Sequence, residues 1–208
     1  MWVVKLGGSL AYSDRLPRWL QTLAESASVV IVPGGGPFAD QVRRSQAHWG
    51  FGESSAHHMA LLAMEQFGTM LCGMHDGLAA ATTESEIRTV HARGECPVWM
   101  PTRMVMAEST IAHSWDVTSD SLAAWLCAQL GEDALLLVKS IAFRQAGPTW
   151  DVERLVEDRI VDAGFERHTQ ALNVPVRLMS AEDVERFGEL LGGGQAGVEM
   201  IRRPPEAA

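Results

Sequence analysis

The sequence predicts an α/β protein, a three-layer α/β/α sandwich with a mainly parallel central sheet, and three observations lead there. Short apolar runs biased to β-branched residues, Val3-Val4 leading into Lys5-Leu6 and then Val29-Val30-Ile31-Val32, read as buried strands. Between them Leu16, Trp19, Leu20, Leu23 and Ala24 recur at helical spacing, so strand, helix and strand form a βαβ unit with parallel strands. The alternation persists without a linker, an internal repeat or a low-complexity segment, which argues for one domain over residues 1–208.

The first strand breaks at Gly7-Gly8, and the second runs into Pro33-Gly34-Gly35-Gly36-Pro37, which no helix or strand interior tolerates. Two glycine loops at the carboxyl ends of neighbouring parallel strands face one crevice, where open α/β sheets bind ligands. The helix opened by Pro37 and Phe38 aims its amino end at that crevice and favours an anion there. Arg43 and Arg44 lie on that helix, either able to reach an acceptor phosphate or to remain solvated.

A small polar loop at residues 50–55 precedes a helix carrying Ala60, Met64, Phe67 and Leu71. His57 and His58 open it. Adjacent residues point apart, so structural or surface roles are expected rather than a two-histidine metal site. Ile87–Val90 and Pro97–Met100 read as short strands. Leu122, Trp125, Leu126 and Leu130 line one helical face, with Thr118 or Ser119 as its cap. A strand over Ala134–Val138 follows, then a loop at Gln145–Thr149 and a charged run, Asp151–Asp162, read as a surface turn and helix. Val174–Met179 forms a strand and Ala181–Leu191 a helix; Gly192-Gly193-Gly194 leads to a last strand, Val198–Ile201, and a frayed tail over Arg202–Ala208.

Of the 17 basic residues only two are lysines, Lys5 and Lys139, and both fall at or near the end of an apolar strand-like run. An ammonium among valines and leucines needs a negative partner nearby. A chain that elsewhere uses arginine keeps the compact point charge at two matching places, as suits the handling of a phosphoryl group that moves. Asp120, in the first turn of its helix, has two readings: it complements the dipole of an exposed helix end, or it is the buried anion the lysines require.

A net charge of -9 argues against nucleic acid or an anionic membrane as partner. Cys72, Cys96 and Cys127 are far apart and form no C-x-x-C pair, which suggests reduced thiols and a cytoplasmic setting and shows no zinc spacing. The chain enters a strand at once, with no leader expected, and no stretch is long and apolar enough to span a bilayer. Neither G-x-x-x-x-G-K-[ST] nor a well-placed G-x-G-x-x-G occurs.

Val4-Lys5-Leu6-Gly7-Gly8-Ser9, Val32-Pro33-Gly34-Gly35-Gly36 and Thr118-Ser119-Asp120 followed by Leu122 and Ala123, in that order, resemble the amino acid kinase superfamily. The resemblance implies that Lys5 neutralises the transferring phosphoryl, that Gly7, Gly8 and Ser9 hold the nucleotide's terminal phosphates, and that Asp120 orients Lys5 and Lys139. It implies that Gly34, Gly35 and Gly36 receive the acceptor, with Arg43 and Thr118 on the same side. ATP is the implied cofactor, with Mg2+ carried in by the nucleotide and no metal ligands of the chain's own. A small-molecule phosphate acceptor and a homo-oligomer are expected.

A narrower resemblance, in Gly36-Pro37-Phe38-Ala39-Asp40-Gln41-Val42-Arg43, Ser54–Ala60 and Ala112–Leu122, is to the [5-(aminomethyl)furan-3-yl]methyl phosphate kinases of methanofuran biosynthesis. It implies phosphorylation of a phosphomonoester to a diphosphate in one-carbon cofactor biosynthesis. Other members of the superfamily phosphorylate carboxylates or phosphates, and a non-catalytic nucleotide or oxyanion binder is the alternative of a different class. The chain departs from its relatives at Val138-Lys139-Ser140-Ile141-Ala142, where Thr-Asp-Val-Asp-Gly is usual, and at Val198, where threonine is common. A glycine-methionine segment bearing a nucleotide-side lysine has no counterpart, which makes Lys139 the substitute lysine.

Overall fold

The computed structural model describes residues 1–26, 28–140, 149–170, 172–191 and 199–202. The chain runs β1 (Trp2–Leu6), a 3-10 turn (Gly8–Tyr12), α1 (Leu16–Ala24), β2 (Val29–Pro33), α2 (Gly36–Trp49), α3 (Glu53–Met74), β3 (Leu78–Ala81), α4 (Glu84–Ala92), β4 (Cys96–Trp99) and α5 (Thr102–Ala107). It continues through α6 (Ser119–Leu130), β5 (Ala134–Lys139), β6 (Thr149–Asp151), α7 (Val152–Glu157), α8 (Phe165–Gln170), β7 (Val176–Ser180), α9 (Val184–Leu191) and β8 (Glu199–Arg202). The expected loop at 145–148, the glycine run 192–194, Val198 and the tail 203–208 lie outside the described residues.

The strands form one sheet in the order β3-β4-β2-β1-β5-β7-β8-β6. Six are mutually parallel; β8 pairs antiparallel with β7 and parallel with β6. The mainly parallel sandwich expected from the alternation is therefore observed. β1 and β5 occupy the middle, where both faces must be apolar. Alternation along β1 and β5 sorts their side chains: Val3, Leu135 and Leu137 join the core under α6, while Val4, Leu6, Leu136 and Val138 join the core formed with Trp19, Leu20 and Leu23 of α1. No helix among the described residues is long and apolar enough to cross a membrane.

One expected element is of the wrong type. Ile87–Val90 is not a strand but part of α4, with Ile87 and Val90 buried three residues apart. A T-x-x-E capping arrangement starts this helix: Thr83 Oγ1 accepts from Glu86 N at 3.2 Å, and Glu86 Oε2 accepts from Thr82 N at 2.6 Å. The strand in this region is Leu78–Ala81, whose alanines carry almost no β signal.

Candidate active site

Register explains why two distant lysines meet. Lys5 pairs with Leu137 and Leu6 with Val138 across the parallel β1 and β5 ladder. Side chains alternate along a strand, so Lys5, Leu137 and Lys139 rise from one face. The first turn of α6 lies over that face and carries Asp120. Lys5 Nζ stands 2.9 Å from Asp120 Oδ1, and Lys139 Nζ donates to Oδ2 at 2.6 Å. Lys5 and Asp120 are each 5% exposed, so Asp120 is the buried anion and not a solvated helix end.

Charge and burial oppose one another within the triad. Burial alone would raise the Asp120 carboxyl; the ammonium of Lys139 and then that of Lys5 outweigh it and hold the pKa at about 2. Burial pushes Lys139 down to about 8 despite Asp120, and the like charge of Lys5 adds to the fall.

A second carboxylate fixes the start of α6. Asp162 Oδ2 accepts from Thr118 N at 2.9 Å, Thr118 Oγ1 at 2.7 Å and Ser121 N at 3.1 Å, and Oδ1 accepts from Ser121 Oγ. This corrects two expectations: neither Thr118 nor Ser119 caps the helix with its own side chain, and the charged run does not end at the surface. Two backbone and two hydroxyl donors at a helix amino end suit a carboxylate from elsewhere in the chain. Burial, and then the charge of Asp120, push the Asp162 carboxyl up, while the Ser121 and Thr118 donors oppose the rise.

The two glycine loops touch. A Cβ on Gly8 would lie 2.1 Å from Gly36 N, and one on Gly34 would lie 2.3 Å from Gly8 N. Gly34 N donates to Leu6 O at 2.9 Å and Gly7 N to Val138 O at 3.1 Å, which ties the ends of β2, β1 and β5 together. Gly36 has φ +53, where a side chain would be strained.

Two spaces open on either side of this junction. A cleft of about 350 Å³ is lined by Gly35, Gly36, Arg43, His57, Trp115 and Thr118, among others. A cavity of about 260 Å³ is walled by Lys5, Gly7, Lys139, Ser140, Arg159 and their neighbours. Gly8 and Ser9 line both. Ser9 Oγ donates to Ser140 Oγ at 2.9 Å, joining the loops that follow β1 and β5.

Lys5, Asp120 and Lys139 thus converge, with Gly7, Gly8 and Ser9 beside them. Gly35, Gly36, Arg43 and Thr118 share the cleft, whereas Gly34 lines neither space and packs on Gly8 instead. Arg43 is not free in solvent: its guanidinium lies 4.2 Å over the Trp115 ring and 3.3 Å from Asp40. Trp115 is in turn fixed by Nε1 donating to Gln46 Oε1 at 2.6 Å.

Sequence reading gave no site role to Trp115, Asp162 or Arg159, and gave His57 a structural or surface one. His57 is buried against the cleft and stacked on His113, ring centres 4.8 Å apart. Burial, with His113 beside it, pushes the His57 pKa down, which favours a neutral ring. Trp115 had a usable signal, two places before Val117-Thr118. Asp162 and Arg159 had none, because only the folded chain returns that segment to the lysines.

A mainly parallel α/β/α sheet whose central strands end in touching glycine loops beside a lysine-aspartate-lysine triad of net positive charge defines a protein with an anion-binding crevice at the carboxyl edge of its sheet. The amino acid kinase family model matches residues 1–142, and the chain belongs to that family. It is 29% identical over 129 residues to the [5-(aminomethyl)furan-3-yl]methyl phosphate kinase of Methanocaldococcus jannaschii; the match covers 61% of this chain and spans 59% of that relative's length. The fold is that of uridylate kinase from Archaeoglobus fulgidus, with a TM-score of 0.71 at 15% identity over 97% of this chain and 99% of that one. UMP kinase from Ureaplasma parvum is similar too, with a TM-score of 0.71 at 12% identity over 97% and 95% of the two chains.

Proposed function

We propose that the protein is an ATP-dependent kinase that phosphorylates a small phosphomonoester, foremost [5-(aminomethyl)furan-3-yl]methyl phosphate, to the diphosphate in methanofuran or related one-carbon cofactor biosynthesis. The observation that carries this reading is the wall of Gly8 and Ser9 common to both spaces, with the lysines on one side of it and Arg43 on the other. A donor in the cavity and an acceptor in the cleft would meet there.

In the transfer, the bond from the γ-phosphorus to the β,γ-bridging oxygen breaks, a bond to an acceptor phosphate oxygen forms, and ADP leaves with the bridging electron pair. A phosphomonoester's second pKa is about 6, so the attacking oxygen arrives ionised and needs no general base. What remains is positioning and charge stabilisation. Lys5 and Lys139 supply the positive charge, and Asp120 holds them on one side of the junction. The backbone N–H of Gly8 would orient the terminal phosphates, while that of Gly7 is held by Val138 O and shapes the turn. Mg2+ would be carried on the nucleotide's phosphates, whose charge it would offset.

On the acceptor side Arg43, steadied by Trp115 and Asp40, suits the phosphate already present, and Trp115, Met64 and Leu122 offer an apolar surface for a flat ring. The free cysteines support a reducing, cytoplasmic setting. Met59 and Leu62, exposed three residues apart on α3, support a homo-oligomer.

The test is ADP release from Mg-ATP over a panel of phosphomonoesters and carboxylates that includes the aminomethylfuran phosphate. Turnover with that acceptor alone supports the proposal. Turnover only with a carboxylate or another phosphate selects a different specificity. Tight ATP binding without turnover selects a non-catalytic member, a reading favoured by the substitution at Val138-Lys139-Ser140.

A further inference from the structure

Helix α7 ends in a way that its sequence does not favour. Arg159 N donates to Val156 O at 3.0 Å and Ile160 N to Leu155 O at 2.8 Å, the paired bonds of a Schellman cap, and Arg159 holds its left-handed position at φ 55. Glycine is the usual residue there because it has no Cβ to strain. This chain uses glycine at such positions elsewhere, with Gly50 and Gly131 ending α2 and α6. Among the described residues Arg159 is the one non-glycine with positive φ. It also walls the cavity that contains Lys5 and Lys139.

The coincidence has a physical reading. Two ammonium groups share one carboxylate, which leaves the triad with a single net positive charge against the several negative charges of a polyphosphate. Asp158, on the same wall, is engaged by Arg154 at 2.9 Å, whereas Arg159 has no carboxylate partner among the described residues. A planar guanidinium fork matches two phosphate oxygens at once, and strain kept at a cavity wall is a sign of use. We propose that Arg159 is a third cationic ligand of the nucleotide's polyphosphate, held in a left-handed backbone position on the wall of the cavity that Lys5 and Lys139 also line.

This inference rests on the nucleotide reading of the cavity, and its test separates the two. Calorimetric titration of the full chain with Mg-ATP, magnesium tripolyphosphate and AMP is compared among the parent, Arg159→Gly and Arg159→Lys, alongside melting of each protein without ligand. The Gly variant relieves the backbone, so it should melt higher by about 2 °C. It should bind Mg-ATP and tripolyphosphate about tenfold more weakly and AMP within twofold of the parent, with the Lys variant between. Affinity for Mg-ATP unchanged within twofold in the Gly variant overturns the role of Arg159 while leaving the nucleotide reading in place. Loss of affinity for all three ligands together with a lower melting point also overturns it, since that is the mark of a structural role. Failure of the parent to bind Mg-ATP overturns both.

Discussion

Lys139 stands two positions beyond Leu137, the register partner of Lys5, so the two ammonium groups rise from one face of adjacent strands onto opposite oxygens of Asp120. Neither lysine could be satisfied by its own strand. Removing the shared acid leaves two buried cations facing each other, and losing one partner of a buried ion pair costs about 3–5 kcal/mol. Asp120→Asn, which keeps the shape, should lower stability by about 3 kcal/mol in urea denaturation and reduce turnover as well. A loss below about 1 kcal/mol would show that the triad is more hydrated than its burial indicates.

Lys139 sets a pH limit. Its folded pKa of about 8 lies below the ordinary lysine value, so the site loses a positive charge as pH rises through about 8. We expect kcat/KM for ATP to fall above that pH, and the fall to vanish in Lys139→Arg, whose guanidinium stays charged. Stability moves the other way. Above pH 8 the unfolded chain binds more protons at this lysine than the folded one, so its contribution to stability increases from about pH 8 toward the unfolded value. A flat kcat/KM profile between pH 7 and 9.5 would remove Lys139 from the nucleotide side.

Asp162 holds the start of α6 through four donors from Thr118 and Ser121. Asp162→Ala orphans buried donors, at a cost of about 2–3 kcal/mol by urea denaturation. It should also lower kcat more than it raises either KM, because the helix that it steadies carries Asp120. Asp162→Asn, which retains an acceptor oxygen, should recover part of both losses.

Close backbone contact at the junction predicts a sharp contrast between two glycines. Gly8→Ala drives a fixed Cβ to 2.1 Å from Gly36 N, with no rotamer to relieve it, so the loops must separate. A loss of more than about 4 kcal/mol is expected. Gly73→Ala, on the exposed side of α3 with nothing within 4 Å, should instead stabilise by about 0.5–1 kcal/mol. Equal effects would contradict the geometry of the junction.

These residues also mark how far the sequence could be read. β1, α1, β2 and both glycine loops were legible because apolar runs and punctuating glycines are local signals, and Lys5 and Lys139 stood out by their rarity. The assignment of Asp120 needed the third dimension, since a first-turn aspartate looks the same whether it meets solvent or lysines. Ile87–Val90 misled because four residues fit a strand and a helix face equally, and the deciding Thr83 and Glu86 cap lay just outside the window. Asp162 and Arg159 looked like members of a surface run, and only the return of the chain after α7 brings them to α6 and to the lysine cavity.

The central claim is that Lys5 acts on a phosphoryl group passing between two spaces that share the Gly8-Ser9 wall. The most direct measurement is ADP release from Mg-ATP with the aminomethylfuran phosphate, in the parent and in Lys5→Ala, with circular dichroism confirming that both are folded. The account predicts acceptor-dependent turnover in the parent and a loss of at least about 100-fold in the variant, the size expected when a preorganised charge on the transition state is removed. Turnover in Lys5→Ala within a few-fold of the parent would contradict it.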